Sequence, residues 1–259
     1  MLTYNMDVTP ESIWKRTTPS EAELAQPYYC TEAGVFYAQQ HFSTARTDKE
    51  SYILFYTLRG AGLIEQDGNH VILSTGQALL LNCRTPQSYC TAPGQSCWHH
   101  YWVHLDGVGV AAMEPLLFPG KKLTPVQIAG AKMQELFETI LSQMERGNVD
   151  SMVQTGLALH GVLVLCAQTI LAEAETTSAR QVILQAAETL RKNYQKELSL
   201  ADLLADAHMS KSYFLRLFRR YMGTTPYNYL VNFRITQAKE LLVLTDHSVT
   251  EIAQQVGFV

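Results

Sequence analysis

Two segments 49 residues apart repeat one pattern of residue types. Ser199-Leu200-Ala201-Asp202-Leu203-Leu204-Ala205-Asp206-Ala207-His208-Met209 aligns with Ser248-Val249-Thr250-Glu251-Ile252-Ala253-Gln254-Gln255-Val256-Gly257-Phe258. Each opens on a serine with an acid three residues later, so the hydroxyl accepts from the third helical amide and the carboxylate reaches back to the serine amide. Apolar residues recur at matching offsets: Leu200 and Val249, Leu203 and Ile252, Leu204 and Ala253, Ala207 and Val256, Met209 and Phe258. Each segment is therefore expected to be a short capped helix ending in a tight turn.

After the first segment, Ser210 is placed to cap a new helix that runs to about Met222 and stops at Gly223, a residue suited to a left-handed C-terminal position. Helix, short turn and helix make a helix-turn-helix. Phe214, Leu217, Phe218 and Tyr221 repeat at spacings of 3 and 4 and form the inward face. Lys211, Ser212, Leu215, Arg216, Arg219 and Arg220 face outward. A solvated basic helix would carry the same arginines, but the capped helix before it, the turn and the repeat favour a helix shaped for the DNA major groove. There arginine reads guanine and other cations hold phosphates. A formal net charge of -4 argues against nucleic acid until its distribution is seen. Residues 1 to 177 hold 10 basic and 17 acidic groups, residues 178 to 259 hold 10 basic and 7 acidic. An acidic front and a basic back fit a chain with one DNA-binding end.

Thr225-Pro226 starts a longer helix that leads into the second segment. The stretch SLADLLADAHMSKSYFLRLFRRYMGTTPYNYLVNFRITQAKELL, followed by SVTEIAQQVGF, resembles the DNA-binding domain of the AraC/XylS family of bacterial regulators, from about Ile183 to the end. The resemblance implies two helix-turn-helix units on either side of a linker helix. It places base contacts at Ser212, Leu215 and Arg216 and backbone contacts at Lys211, Arg219 and Arg220. The chain stops at Val259, where the second recognition helix is expected to begin. On the 49-residue spacing the counterpart of Gly223 falls near position 272, so roughly 25 to 30 residues of a complete second unit are expected to be missing. Weak DNA binding is the expectation for the 259-residue form, and nanomolar sequence-specific binding would refute it.

From Val35 to Leu105 the chain changes to short runs rich in Tyr, Ile, Leu, Phe and Val. YILFYTL (52 to 58) is followed by RGAG, GLIEQ by DGN, HVIL by STG, QALLL by NCRTPQ, and WHHYWVHL by DGVG. Regular short strands punctuated by Gly, Asn and Asp predict an antiparallel barrel or sandwich, and Asp67-Gly68 is the strongest hairpin signal. Residues 1 to 29 carry little periodicity and are expected to form an arm with a few turns. Alternation in WHHYWVHL puts Trp98, His100, Trp102 and His104 on one face and His99, Tyr101 and Val103 on the other. Core packing alone would account for the tryptophans; two histidines on the same face are harder to read as core.

Residues 35 to 110 resemble the cupin-like ligand-binding barrel of the same family, closest to its sugar-responsive members. That resemblance implies ligand contacts at Arg46, Tyr89, His100 and Trp102, with Trp102 stacking on a sugar ring and the others bonding hydroxyls. Tyr37, Tyr56 and His104 are further pocket candidates. A metal-binding cupin needs a His-x-His pair with a carboxylate on the following strand; NCRTPQSYC supplies neither, so no metal or cofactor is expected.

From Thr124 the period becomes helical: Met133, Leu136, Phe137, Ile140, Leu141 and Met144 repeat at 3 and 4, with Pro125 in the first turn. Gly147-Asn148 ends this helix and a second runs from about Asp150 to Glu175. Its apolar stretch, Gly156 to Ala172, is interrupted by His160, Gly161 and Gln168, and reads as a buried or dimer-facing helix rather than a membrane span. The polar segment EAETTSAR (173 to 180) is the expected linker. Five cysteines, Cys30, Cys83, Cys90, Cys97 and Cys166, follow no CxxC spacing and come without a signal sequence, which fits a reducing cytoplasm.

The expected fold class is α+β: an N-terminal arm and cupin-like β-barrel over 1–122, two helices for dimerisation over 123–176, and an all-α double helix-turn-helix domain over 177–259 whose second unit is incomplete. The expected function is a ligand-responsive, sequence-specific regulator and not an enzyme. Its partners would be double-stranded DNA, a small effector such as a carbohydrate, a second copy of the chain and RNA polymerase. Activator and repressor are not distinguished. The competing readings are a cupin enzyme with an accessory DNA-binding domain and a truncated dimerising antagonist.

Overall fold

A computed structural model describes residues 2–258 except 119–121, 176–177, 206 and 208. The chain divides into two compact units, Met1–Leu171 and Ala172–Val259. Of the expectations above, Asp206 and His208 of the repeat, part of the linker, and Val259 lie outside the described residues.

The first unit is built on antiparallel strands: β1 (Leu2–Asn5), β2 (Ile13–Arg16), β3 (Tyr29–Gln39), β4 (Ser43–Arg46), β5 (Tyr52–Gln66), β6 (Asn69–Ser74), β7 (Gln77–Asn82), β8 (Gln87–Thr91), β9 (Cys97–Asp106) and β10 (Val126–Gln127). They run in the order β1-β4-β8-β5-β9-β3-β2, with β6 and β7 also on β5 and β10 on β7. β5 is the corner piece. Residues 52–56 pair with β7 and β9, and residues 61–66 with β6 and β8. The register shifts between Thr57 and Arg59, and Gly60 sits at φ 75. RGAG is thus a bulge that carries one strand across both sheets, not the turn expected between two strands. The turn at Asp67 (φ 50) and Gly68 (φ 73) links β5 to β6 as the dipeptide predicts.

Period-2 alternation divides the barrel side chains between two cores. Tyr52, Leu54 and Tyr56 of β5, with Tyr101, Val103 and Leu105 of β9, pack outward under the helices; Ile53, Phe55, Trp98 and Trp102 pack inward between the sheets. The outer core is closed by α2 (Val108–Leu117), α3 (Gly130–Gln143) and α4 (Val149–Glu175). Met133, Phe137, Ile140 and Leu141 of α3 are buried there, Phe137 stacked on Tyr101 at 4.9 Å. α4 is long and apolar enough to cross a bilayer, but Leu159, Val162, Leu163, Cys166 and Ile170 on one face are buried in this core. Val149, Val153 and Leu157 are exposed on another.

Two local expectations differ. The N-terminal residues are not a plain arm: β1 pairs with β4, β2 pairs with β3, and α1 (Glu21–Leu24) carries its own capping box from Ser20. Thr124-Pro125 does not open a helix; Val126–Gln127 extends β7 and the helix starts at Gly130. The DGVG turn residues run directly into α2, a helix despite Pro115.

The second unit is all helical: α5 (Ser178–Lys192), α6 (Leu200–Ala205), α7 (Lys211–Met222), α8 (Pro226–Leu244) and α9 (Val249–Gln255). Both capping boxes form, Ser199 with Asp202 and Ser248 with Glu251. Ser210 caps α7 through the Tyr213 amide, and Gly223 ends it at φ 73. Phe214, Leu217 and Phe218 are buried with Ile183, Leu190, Leu203 and Leu230. In the repeat, Leu203 and Ile252 are both buried, and so are Ala207 and Val256, whereas Leu200 packs on the core and Val249 stands in solvent.

Candidate functional site

The inner face of the barrel surrounds a small, partly open cavity. Arg46, Tyr89, His100, Trp102 and His104, separated by up to 58 positions in the chain, all line it. Antiparallel pairing brings them together: Thr44 opposes Tyr89, and Phe36 opposes His100. Tyr37 and Tyr56 do not join them. Each lies one residue from an inward side chain, Phe36 and Phe55, so alternation turns it to the opposite face. Tyr56 is buried in the outer core, and Tyr37 packs against it and edges onto His99 at 5.3 Å. Trp98 shares the inward face but belongs to the core, its Nε1 donating to Thr57 Oγ1 at 3.0 Å.

The cavity wall also includes Leu2, Tyr4 and Met6 near the N-terminus, Trp14 of β2, and Glu32 and Phe36 of β3. Trp102 lies edge-on to Trp14 (5.9 Å) and tilted against Phe36 (5.1 Å). It also lies over Gly34, where a Cβ would come within 2.9 Å of the indole and 2.3 Å of the Ile13 carbonyl. Glycine at 34 leaves the space the ring occupies beside β3.

The electrostatics of the wall divide into two parts. At one end Lys49 pairs with Glu32, which also accepts from Trp14 Nε1 at 3.1 Å. Burial works against the Glu32 charge, but the Lys49 bond and charge outweigh it and hold the carboxyl below its usual range. His104, bonded to Ser51 Oγ at 3.1 Å, is pushed down to about 3 by burial and by the Lys49 charge. At the other end His100 is fully buried and its pKa falls to about 3 through burial, so the ring is neutral. Its Nδ1 lies 2.9 Å from the Trp98 carbonyl oxygen. A carbonyl only accepts, so Nδ1 carries the proton and Nε2 is a bare lone pair.

Among the described residues that Nε2 has no hydrogen-bond partner, and neither do the buried Nε of Arg46 and Nε1 of Trp102. Buried polar atoms are nearly always bonded. This wall therefore offers one acceptor and two donors to whatever enters.

In the second unit, α7 is as the sequence suggests on most counts. Lys211, Ser212, Arg216, Arg219 and Arg220 are exposed, and no acid occurs between 211 and 222. Leu215 is the exception: it is half-buried and packs against the helical core, because the buried arc of the helix is wider than the Phe214–Phe218 stripe alone. Tyr213, not singled out from sequence, is exposed beneath the Arg216 guanidinium, 5.2 Å from its ring centroid. An aromatic next to an arginine at spacing 3 was the available signal.

Residues 30–160 match the AraC-like ligand binding domain family and residues 203–259 a helix-turn-helix domain family. The lactose operon transcription activator of Staphylococcus xylosus is 21% identical over 80% of this chain and 75% of that one. The raffinose operon transcriptional regulatory protein RafR of Pediococcus pentosaceus is 25% identical over 81% and 77%. Among solved structures, ToxT from Vibrio cholerae O395 aligns over 90% of this chain and 89% of that chain, with 11% identity and a TM-score of 0.34. With its cupin-like barrel built to take a small molecule and a helix-turn-helix unit to bind DNA, the chain belongs to the AraC family of transcription regulators.

Proposed function

We propose that the inner cavity binds a neutral carbohydrate effector and that α7 carries the base-reading side chains, Ser212 and Arg216, with Lys211, Arg219 and Arg220 on phosphates. The observation that carries the effector reading is the unpartnered set His100 Nε2, Arg46 Nε and Trp102 Nε1. A hydroxyl donates and accepts through one atom, so adjacent hydroxyls satisfy all three. A carboxylate would satisfy the two donors and leave His100 Nε2 without a proton to accept. Trp102, packed by Trp14 and Phe36, supplies the apolar surface on which the C–H face of a sugar ring rests. The names of the lactose and raffinose operon regulators point to the same ligand class.

Barrel binding then acts on transcription by favouring one arrangement of the protein over another. Pairing of two copies through the exposed Val149, Val153 and Leu157 of α4 belongs to the same reading. A thermal-shift screen of the full chain tests the effector class, because a ligand that binds only the folded state raises its melting temperature. At least one neutral sugar is expected to raise Tm, while the corresponding sugar acids do not; the same sample's sedimentation mass, two chains rather than one, checks the pairing. A response to sugar acids alone would overturn the reading.

A further inference from the structure

We propose that the effector is a saccharide of at least two rings, the outer of which sits on a second subsite built from Gln87 and Gln66. This deepens the carbohydrate reading of the inner cavity and rests on it. Strands β4, β8 and β5 lie side by side, with Arg46 opposite Gln87 and Gln87 opposite Gln66. Residues directly opposite in antiparallel strands share a face, so these three side chains form one polar row. Two residues further along each strand, Thr44, Tyr89 and Ile64 form the next row, and Thr44 and Tyr89 line the inner cavity. A two-residue step along a strand is about 6.6 to 6.8 Å, which is on the scale of one sugar ring.

The Gln row lines an open surface groove, and Arg46 lines both this groove and the inner cavity. Arg46 is thus shared by the two. Gln66 and Gln87 line the groove and are each only 4% exposed. Gln66 uses its amide nitrogen on the Asn82 carbonyl at 2.6 Å; among the described residues its Oε1 has no partner, and neither do Oε1 and Nε2 of Gln87. Orphaned buried atoms of both polarities on neighbouring amides fit a ligand whose groups donate and accept, as hydroxyls do. Glu65 and Asp67 on the same groove set its charge against an anion. Among the described residues no Phe, Tyr or Trp lines it, so the outer ring is held mainly by hydrogen bonds.

Calorimetric titration of the full chain with galactose, glucose, lactose and melibiose tests this, alongside Gln87→Met. At least one disaccharide is expected to bind about tenfold or more tightly than either of its component monosaccharides. Gln87→Met removes two unpartnered polar atoms and keeps the side-chain length; it is expected to abolish that advantage while monosaccharide affinity stays unchanged, which also reports that it is folded. Gln66→Met serves as the second variant if the first fails to fold. Disaccharides no tighter than monosaccharides, or an advantage that survives the glutamine replacements, would overturn the outer subsite. Monosaccharide binding that is lost in His100→Leu but shows no disaccharide gain leaves the inner cavity standing and removes the outer subsite alone. No sugar binding at all removes both.

Discussion

Leucine in place of His100 is expected to weaken binding of the neutral sugar effector by roughly tenfold to a hundredfold, the cost of leaving one hydroxyl unpaired in a closed site, about 1 to 3 kcal/mol. Stability at pH 7 is expected to hold, since the replaced ring buries an unpartnered Nε2. The pH dependence supplies an independent check. In the unfolded chain a histidine titrates near 6.5, whereas burial lowers His100 to about 3 in the folded state. Between those values the unfolded state holds a proton that the folded state lacks, so wild-type stability falls as pH falls, by about 1.4 kcal/mol per pH unit for this group. Above about 6.5 the contribution is flat. Leucine cannot titrate, so the variant should gain on the wild type as pH drops from 6.5 towards 3, with His104 contributing the same acid sensitivity to both proteins. Urea unfolding at pH 7.5 and 5, with sugar titrations at pH 7.5, measures all of it. Unchanged affinity, or parallel stability curves, would remove His100 from the site.

Alanine at Arg216 is expected to reduce affinity for a selected duplex by about 1 to 3 kcal/mol, roughly tenfold to a hundredfold, and to relax preference at the base pair it reads. Arg216 is exposed, with its guanidinium over the Tyr213 ring, so the fold should not suffer. Alanine at Lys211 should instead weaken binding to all sequences alike and lower the slope of log K against log salt by about one. Anisotropy titrations with duplexes enriched from a random pool, at several salt concentrations, separate the two. Equal loss on all sequences for Arg216→Ala would make it a phosphate contact.

The helical unit was legible because its signals are local. A serine, an acid three residues on, a glycine after the last turn and an aromatic stripe all lie within one or two turns of each other, and Ser199, Ser210, Ser248 and Gly223 take up those roles. The inward face of β9 was legible for the same reason, since alternation is a property of one strand. What escaped needs register between distant strands. Trp14, Glu32, Gln66 and Gln87 meet the cavities only through the pairing of β2 with β3 and of β4, β8 and β5. Tyr37 and Tyr56 failed by a single step of parity that the sequence around them does not specify. At Gly60 the positive φ that usually signals a turn serves a bulge instead, because the Cys97 carbonyl approaches where any Cβ would stand.

The barrel presents a bare acceptor beside two donors to its ligand, and the ring nitrogens of His100 report on it directly. Long-range proton–nitrogen NMR spectra of the chain from pH 5 to 8 are expected to place the proton on Nδ1 and leave Nε2 unprotonated throughout, with the Nε2 resonance moving when the sugar binds. A proton on Nε2 anywhere in that range, or an Nε2 resonance indifferent to the sugar, would contradict it.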